Sequence, residues 1–381
     1  MSVTARLAGF YFAYFCHLGA FVAYFPLWLD ARGFTPAEIA TVLTLPAVMR
    51  VVAPTAWGWI ADLRSTRRFG GRRGLVALLS TMAAASLALL SAAGDLRAVF
   101  ACVALTALFT SAVLPLVDAM TLNVLGARVG GYGPVRLWGS VGFIASVLAV
   151  GALLDHAPVA LLLPIVIGWM LVASASAVAL PRGAAPSPES EAPGIGRLLR
   201  DPRVAALFAA CFCMTAAHGA LYAFYSIYLV EAGYSKAVVG LLWTLGVVAE
   251  IALFVALPAL FRRFTLRAML LASFAAAAAR FAAIGWGVDS LALLVLAQLL
   301  HALTFGAYHS ASVAAVHRLF TGALAVRGQA LYASISYGLG GMAGVLLAGW
   351  TWGAFGPGPT FLASAGFGLA GAMLVAWKVR L

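Results

Sequence analysis

Charged, imidazole and amide side chains interrupt stretches that are otherwise apolar. His17, Arg50, His218, Glu250, Arg280, Gln298 and His301 stand near the middle of such stretches, with Asp118 and His309 nearer one end. An ionised group at bilayer depth costs at least ~2.5–3.5 kcal/mol on insertion scales, so residues like these mark binding, pairing or relay positions. Glu250 follows the run Trp243 to Ala249, which contains no other ionisable group. A carboxylate so placed can load and release a proton as its surroundings alternate, or it can form a standing ion pair with Arg280 that orients two helices. Arg280 ends the alanine run Ala275 to Ala279, small residues that let helices approach closely. Its guanidinium is permanently charged and therefore acts as a counter-ion or an anion ligand. Arg50 either pairs with Asp118 or receives a substrate carboxylate in bidentate geometry. His301 and His309 lie eight residues apart, with Gln298 one turn earlier, so one helix carries a polar stripe. Either imidazole can relay a proton. Tyr24, Tyr222 and Trp243 add aromatic bodies with polar tips, which suit an aromatic ligand.

The elements that must hold these residues are membrane helices. Of 381 residues, 64% are hydrophobic and 9% charged, where soluble domains carry roughly 25% charge. The pattern predicts twelve helices, at 7–29, 39–61, 75–93, 97–123, 137–154, 158–180, 204–230, 238–260, 268–287, 290–316, 329–352 and 358–378. Each is about long enough to cross ~30 Å of hydrocarbon. The segment 181–203, rich in Pro, Ser and Gly, reads as a cytoplasmic linker between an N-terminal bundle, 1–180, and a C-terminal bundle, 204–381. Loops placed alternately on the two sides put most of the 24 Lys and Arg on one of them, with only Arg32, Arg97 and Lys236 opposite. That asymmetry puts both termini in the cytoplasm and accounts for the net charge of +12 without nucleic acid. The expected partners are a small-molecule substrate, a proton and the lipid bilayer, for a chain acting as a monomer. Cys16, Cys102, Cys211 and Cys213 all fall within spans, which implies neither a disulfide nor a metal. There is no phosphate-binding Walker loop, His-Glu-x-x-His or nucleophile elbow, so the chain reads as no enzyme, without a cofactor, powered by a gradient.

An internal echo orders the helices. Gly19 to Leu45 runs without a gap alongside Gly219 to Leu245, with Ala23/Ala223, Leu29/Leu229, Gly33/Gly233 and Thr44/Thr244 identical. At the same offset Arg50 stands opposite Glu250. Near offset 194, Arg136 to Val141 pairs with Ala330 to Ile335, so the fifth helix matches the eleventh. The duplication is parallel, six helices plus six, and predicts an all-α transporter of two bundles. Between the second and third helices, Gly58 to Asp62 followed by Arg64, Arg67 and Arg68 resembles the loop motif of the major facilitators, in which an acid latches to basic residues. Asp62, Arg64 and Arg136, which opens the fifth helix, are the candidate gating residues. The counterpart after the eighth helix, Leu260 to Phe264, lacks the acid.

The runs Ala232 to Gly240, Leu245 to Glu250, Leu260 to Arg263, Arg136 to Ser140, Pro115 to Asp118 and Gln298 to Phe305 resemble the 3-phenylpropionate transporter branch of the major facilitator superfamily. The resemblance covers nearly the whole chain. It implies uptake of arylpropionates with a proton across a bacterial inner membrane. A wider similarity to lactose permease and nucleoside symporters implies sugar-binding and coupling roles for Glu250, Arg280 and one of His301 or His309. Lactose permease also carries an acid one turn beyond its histidine. That acid has no counterpart here, which shifts the proton to Glu250 or Asp118. The reading is an aromatic-carboxylate symporter, with a sugar or nucleoside symporter as its rival.

Overall fold

A backbone that crosses hydrocarbon must satisfy its N–H and C=O groups internally, which leaves helices for segments this apolar. The computed structural model describes residues 2–62, 71–126, 131–181 and 200–379, without the side chains of 54–56, 58–62 and 323. Among these residues twelve helices are long and apolar enough to cross a membrane. They are α1 (Val3–Asp30), α2 (Pro36–Asp62), α3 (Gly71–Ala92), α4 (Leu96–Leu125), α5 (Tyr132–Leu154), α6 (Val159–Val178), α7 (Pro202–Glu231), α8 (Lys236–Arg263), α9 (Leu266–Trp286), α10 (Leu291–Leu319), α11 (Ala325–Phe355) and α12 (Pro357–Lys378). Every predicted span is present, most of them longer by a few residues. Polar caps lie just beyond the apolar stretches. Asp95 accepts from Ala98 N at 2.8 Å ahead of α4, and Thr265 accepts from Ala268 N at 3.1 Å ahead of α9.

The echo at offset 200 is visible in the backbone. Gly33 and Gly233 both take a left-handed conformation, at φ 79° and 90°, which glycine alone adopts without steric cost. The N–H that follows each reaches back to the preceding helix, Phe34 to Leu29 O and Tyr234 to Leu229 O. Thr35 and Ser235 then cap α2 and α8 through Glu38 N and Val238 N. In α2 Glu38 returns the bond to Thr35 N at 2.8 Å, completing a capping box.

The chain divides into two compact units. One holds Met1–Phe34, Val52–Pro188 and Ser235–Gly240; the other holds Thr35–Val51, Glu189–Tyr234 and Leu241–Leu381. In the first, Leu7, Phe10, Leu79, Val113, Met120 and Met170 form a buried core. There α1 lies so close to α5 that a Cβ on Gly142 would sit 2.3 Å from Phe12 O. In the second, α7 meets α11 through glycines: a Cβ on Gly344 would lie 2.2 Å from Ala216 O, and one on Gly340 2.2 Å from Thr215 Oγ1. The Gly340-xxx-Gly344 spacing is thus a packing seam. Two π-helical segments, Ala302–Ala307 in α10 and Ser334–Gly340 in α11, interrupt the regular helix in this second unit. Hydrophobic periodicity read as continuous α-helix does not reveal them.

Candidate functional site

The residues that could do chemistry converge in the second unit, around Arg280. The small side chains before it on α9 let α7 and α10 close over the guanidinium, which is 1% exposed. Its Nη1 donates its two protons to Thr304 Oγ1 at 2.9 Å and His301 Nδ1 at 3.0 Å, and shares one of them more weakly with His218 Nε2 at 3.4 Å. Its Nη2 donates to Gln298 Oε1 at 3.0 Å. These four acceptors are all neutral. Arg280 Nε and Gln298 Nε2 are buried N–H donors with no acceptor among the described residues.

The partners dictate the protonation of both imidazoles. A guanidinium can only donate, so His301 Nδ1 must accept and its proton sits on Nε2. That Nε2–H faces Glu250 Oε2 at 3.6 Å, just beyond hydrogen-bond length. His218 Nδ1 lies 2.8 Å from Met214 O. A carbonyl can only accept, so Nδ1 carries the proton and Nε2 is left to take the bond from Arg280. Both rings are neutral while Arg280 is in place, and His301 links a buried cation to a carboxylate.

Glycines and the π turn make this arrangement fit. A Cβ on Gly246 of α8 would stand 3.3 Å from both Gln298 Oε1 and His301 Cδ2, and one on Gly306 3.4 Å from Glu250 Cγ. The wider turn at Ala302–Ala307 keeps His301, Phe305 and His309 in one stack, with ring centroids 5.4 and 6.3 Å apart. His309 Nδ1 then meets Tyr337 Oη at 2.9 Å and Tyr332 Oη at 3.4 Å.

Aromatic rings flank the cluster. Tyr222 stacks on Trp243 and meets His218 at a tilt, both at 6.1 Å, and is 37% exposed. Trp243 is buried, meets Tyr225 edge-on at 6.0 Å and donates from Nε1 to Ser226 Oγ at 3.1 Å. The Tyr222 hydroxyl lies within electrostatic reach of Arg280, Glu250 and Arg50. Arg50, on α2, is exposed, and its guanidinium carbon sits 5.9 Å from the centroid of Tyr337.

Other candidates stand apart from Arg280. Asp118, in the first unit, accepts from Tyr11 Oη at 2.6 Å and from Tyr132 Oη at 3.1 Å. Arg136 packs there over Phe15 at 4.1 Å and Tyr11 at 5.3 Å. Gly139 leaves it room, since a Cβ would sit 2.6 Å from its Nη1. Tyr24 is also in the first unit. It is fully buried, and its hydroxyl is committed to Val147 O at 2.8 Å and Lys236 O at 3.2 Å. His17 is buried against Val166 O. The Asp62 side chain and Arg64 lie outside the described residues. Sequence reasoning missed Thr304 as a member of the cluster, although its place one turn after His301 was a usable signal. Tyr225 and Tyr337 are aromatic candidates by type, but in sequence they look like any interfacial tyrosine.

The fold agrees with what the chain resembles. Residues 4–363 match the profile of the MFS_1 like family. A protein of Escherichia coli (strain K12) named "Probable 3-phenylpropionic acid transporter" is 33% identical over 344 residues, covering 88% of this chain and 87% of that protein. The "Maltose permease" of Geobacillus stearothermophilus is 32% identical over 176 residues, 45% of this chain and 43% of that one. In fold, the crystal structure of the nucleoside transporter NupG matches with a TM-score of 0.86 at 17% identity, over 99% of this chain and 98% of that one. The chain belongs to the MFS_1 like family, membrane transporters of the major facilitator superfamily.

Proposed function

We propose that the protein is a proton-coupled symporter that takes up a small aromatic carboxylate of the 3-phenylpropionate kind. It works by alternating access as a monomer in a bacterial inner membrane, with both termini in the cytoplasm. Residues 1–180 and 204–381 are its two six-helix bundles, joined through 181–203.

The observation that carries this reading is His301, held neutral between Arg280 at 3.0 Å and Glu250 at 3.6 Å. A proton on His301 Nδ1 would set two cations in contact, so proton uptake falls to Glu250. Neutralising Glu250 removes the anion that faces His301 Nε2–H and frees the chain of groups leading to Arg280 to rearrange. The enclosed Arg280 supplies a fixed positive field, while the exposed Arg50 beside Tyr337 takes the substrate carboxylate. Tyr222, partly exposed and backed by Trp243, puts its ring edge beside the substrate's aromatic ring. The surplus of buried donors suits an acceptor-rich ligand and disfavours a cation. Support also comes from the phenylpropionic acid transporter relative.

The test is uptake of labelled 3-phenylpropionate by proteoliposomes with and without an inward proton gradient. Gradient-stimulated accumulation is expected. Its absence in folded protein would remove the substrate assignment. A sugar or nucleoside symporter is the second reading, favoured by the maltose permease relative and by the neutral hydrogen-bonding groups Gln298, His309 and Tyr332. Competition by neutral glycosides or nucleosides, rather than by carboxylates, would establish it.

A further inference from the structure

Away from the transport site, a cavity of about 610 Å³ opens at the junction of α8, α9 and α10, and Arg262, Arg263 and Arg318 line it with no acid among its lining residues. All three arginines are exposed. A fourth arginine nearby, Arg267, shows what a structural arginine does at this end of the unit. It donates to the Val375 and Ala376 carbonyls at the end of α12. No hydrogen bond or ion pair engages Arg262, Arg263 or Arg318 among the described residues. The cavity is also where α9 begins. Thr265 occupies only the Ala268 N–H, and the first-turn N–H groups of Leu266 and Arg267 point out of the helix end.

The rest of the lining is apolar. Phe261 and Phe264 are 40% and 53% exposed, and Leu266 forms part of the wall. On α8, Leu241, Val248 and Val255 are exposed at intervals of seven residues, on the face that ends in Arg262. On α9, Ala268, Ala272, Ala275 and Ala279 are exposed beyond the cavity, a shallow track that ends at the exposed Trp286. A soluble anion would use the arginines and leave the track bare. An amphiphile would use both.

We propose that Arg262, Arg263 and Arg318 bind the phosphate of an anionic phospholipid, whose acyl chain lies along the exposed alanines of α9. Guanidinium forks match phosphate oxygens in pairs, and a helix start adds N–H donors of the same sign. The site is separate from the one proposed for substrate.

Native mass spectrometry of the full chain, purified in neutral detergent and offered phosphatidylglycerol, phosphatidylcholine or inorganic phosphate, tests this. Retention of phosphatidylglycerol over phosphatidylcholine is expected, falling roughly fivefold for each arginine removed in Arg262→Gln, Arg263→Gln and Arg318→Gln. If the triple variant does not fold, Arg318→Gln alone, at an exposed helix position, must still show its share of the loss. Equal retention of the two lipids, or unchanged phosphatidylglycerol retention in the variants, overturns the proposal. Displacement of the lipid by millimolar inorganic phosphate, with phosphate retained in its place, assigns the site to a free anion and overturns the lipid.

Discussion

At the scale of single residues, Arg50 and Arg280 have the same charge and opposite surroundings, one exposed and the other enclosed, and only Arg50 is proposed to meet the substrate carboxylate. Arg50→Gln is expected to weaken uptake of the carboxylate by roughly 10- to 100-fold, the value of a charge-assisted contact, and to leave thermal stability nearly unchanged. Arg50→Lys should recover part of that loss. An equal loss for a neutral analogue of the substrate would place Arg50 outside carboxylate recognition. The sequence made much of this centre legible. Glu250, Arg280, Gln298 and His301 each break an apolar run, and the fold brings all four together. Tyr24 illustrates the limit. A tyrosine with a committed hydroxyl and one facing a ligand have the same chain around them, and helices that are apolar on every side carry no period to tell the faces apart.

At the scale of elements, the joints between helices are built from glycines and caps. In the first unit Asp155, just past α5, accepts from Lys236 N at 2.6 Å and Ala237 N at 3.0 Å, and so caps the start of α8. Burial alone would raise the Asp155 carboxyl. The N–H groups of Ala237 and Lys236, the Ser235 hydroxyl and the Lys236 charge outweigh burial and hold it below the usual carboxylate range. A carboxyl depressed in the folded state contributes stability above its unfolded value, near 3.9, and loses it as pH falls through the folded one. Asp155→Asn should therefore cost ~1 kcal/mol at pH 7, and the gap to the parent should close below about pH 4. A gap unchanged down to pH 3 in thermal unfolding would contradict the cap. Across the α7–α11 seam, Gly344→Ala should destabilise by about 1–3 kcal/mol, since its Cβ would meet backbone rather than a movable side chain. The Gly340-xxx-Gly344 seam could be read from spacing. The π turns could not, because an i→i+5 bond is a response to packing and leaves the local composition unchanged.

At the scale of the whole chain, composition and charge carry the reading furthest. Twelve apolar helices follow from composition, and the repeat at offset 200 reappears as matching glycine turns at Gly33 and Gly233. The two compact units draw on separate stretches of chain, with Thr35–Val51 in the second and Ser235–Gly240 in the first. If the basic loops face the cytoplasm, a fluorescent protein fused to the C-terminus should fluoresce and an alkaline phosphatase fused there should be inactive. The reverse pattern would invert the topology. The central claim is that Glu250 carries the proton beside a neutral His301. Its most direct test is Glu250→Gln in proteoliposomes, comparing accumulation driven by an inward proton gradient with counterflow of the same substrate. The account predicts that accumulation is lost while counterflow persists. A variant that still accumulates substrate in full response to the gradient would contradict it.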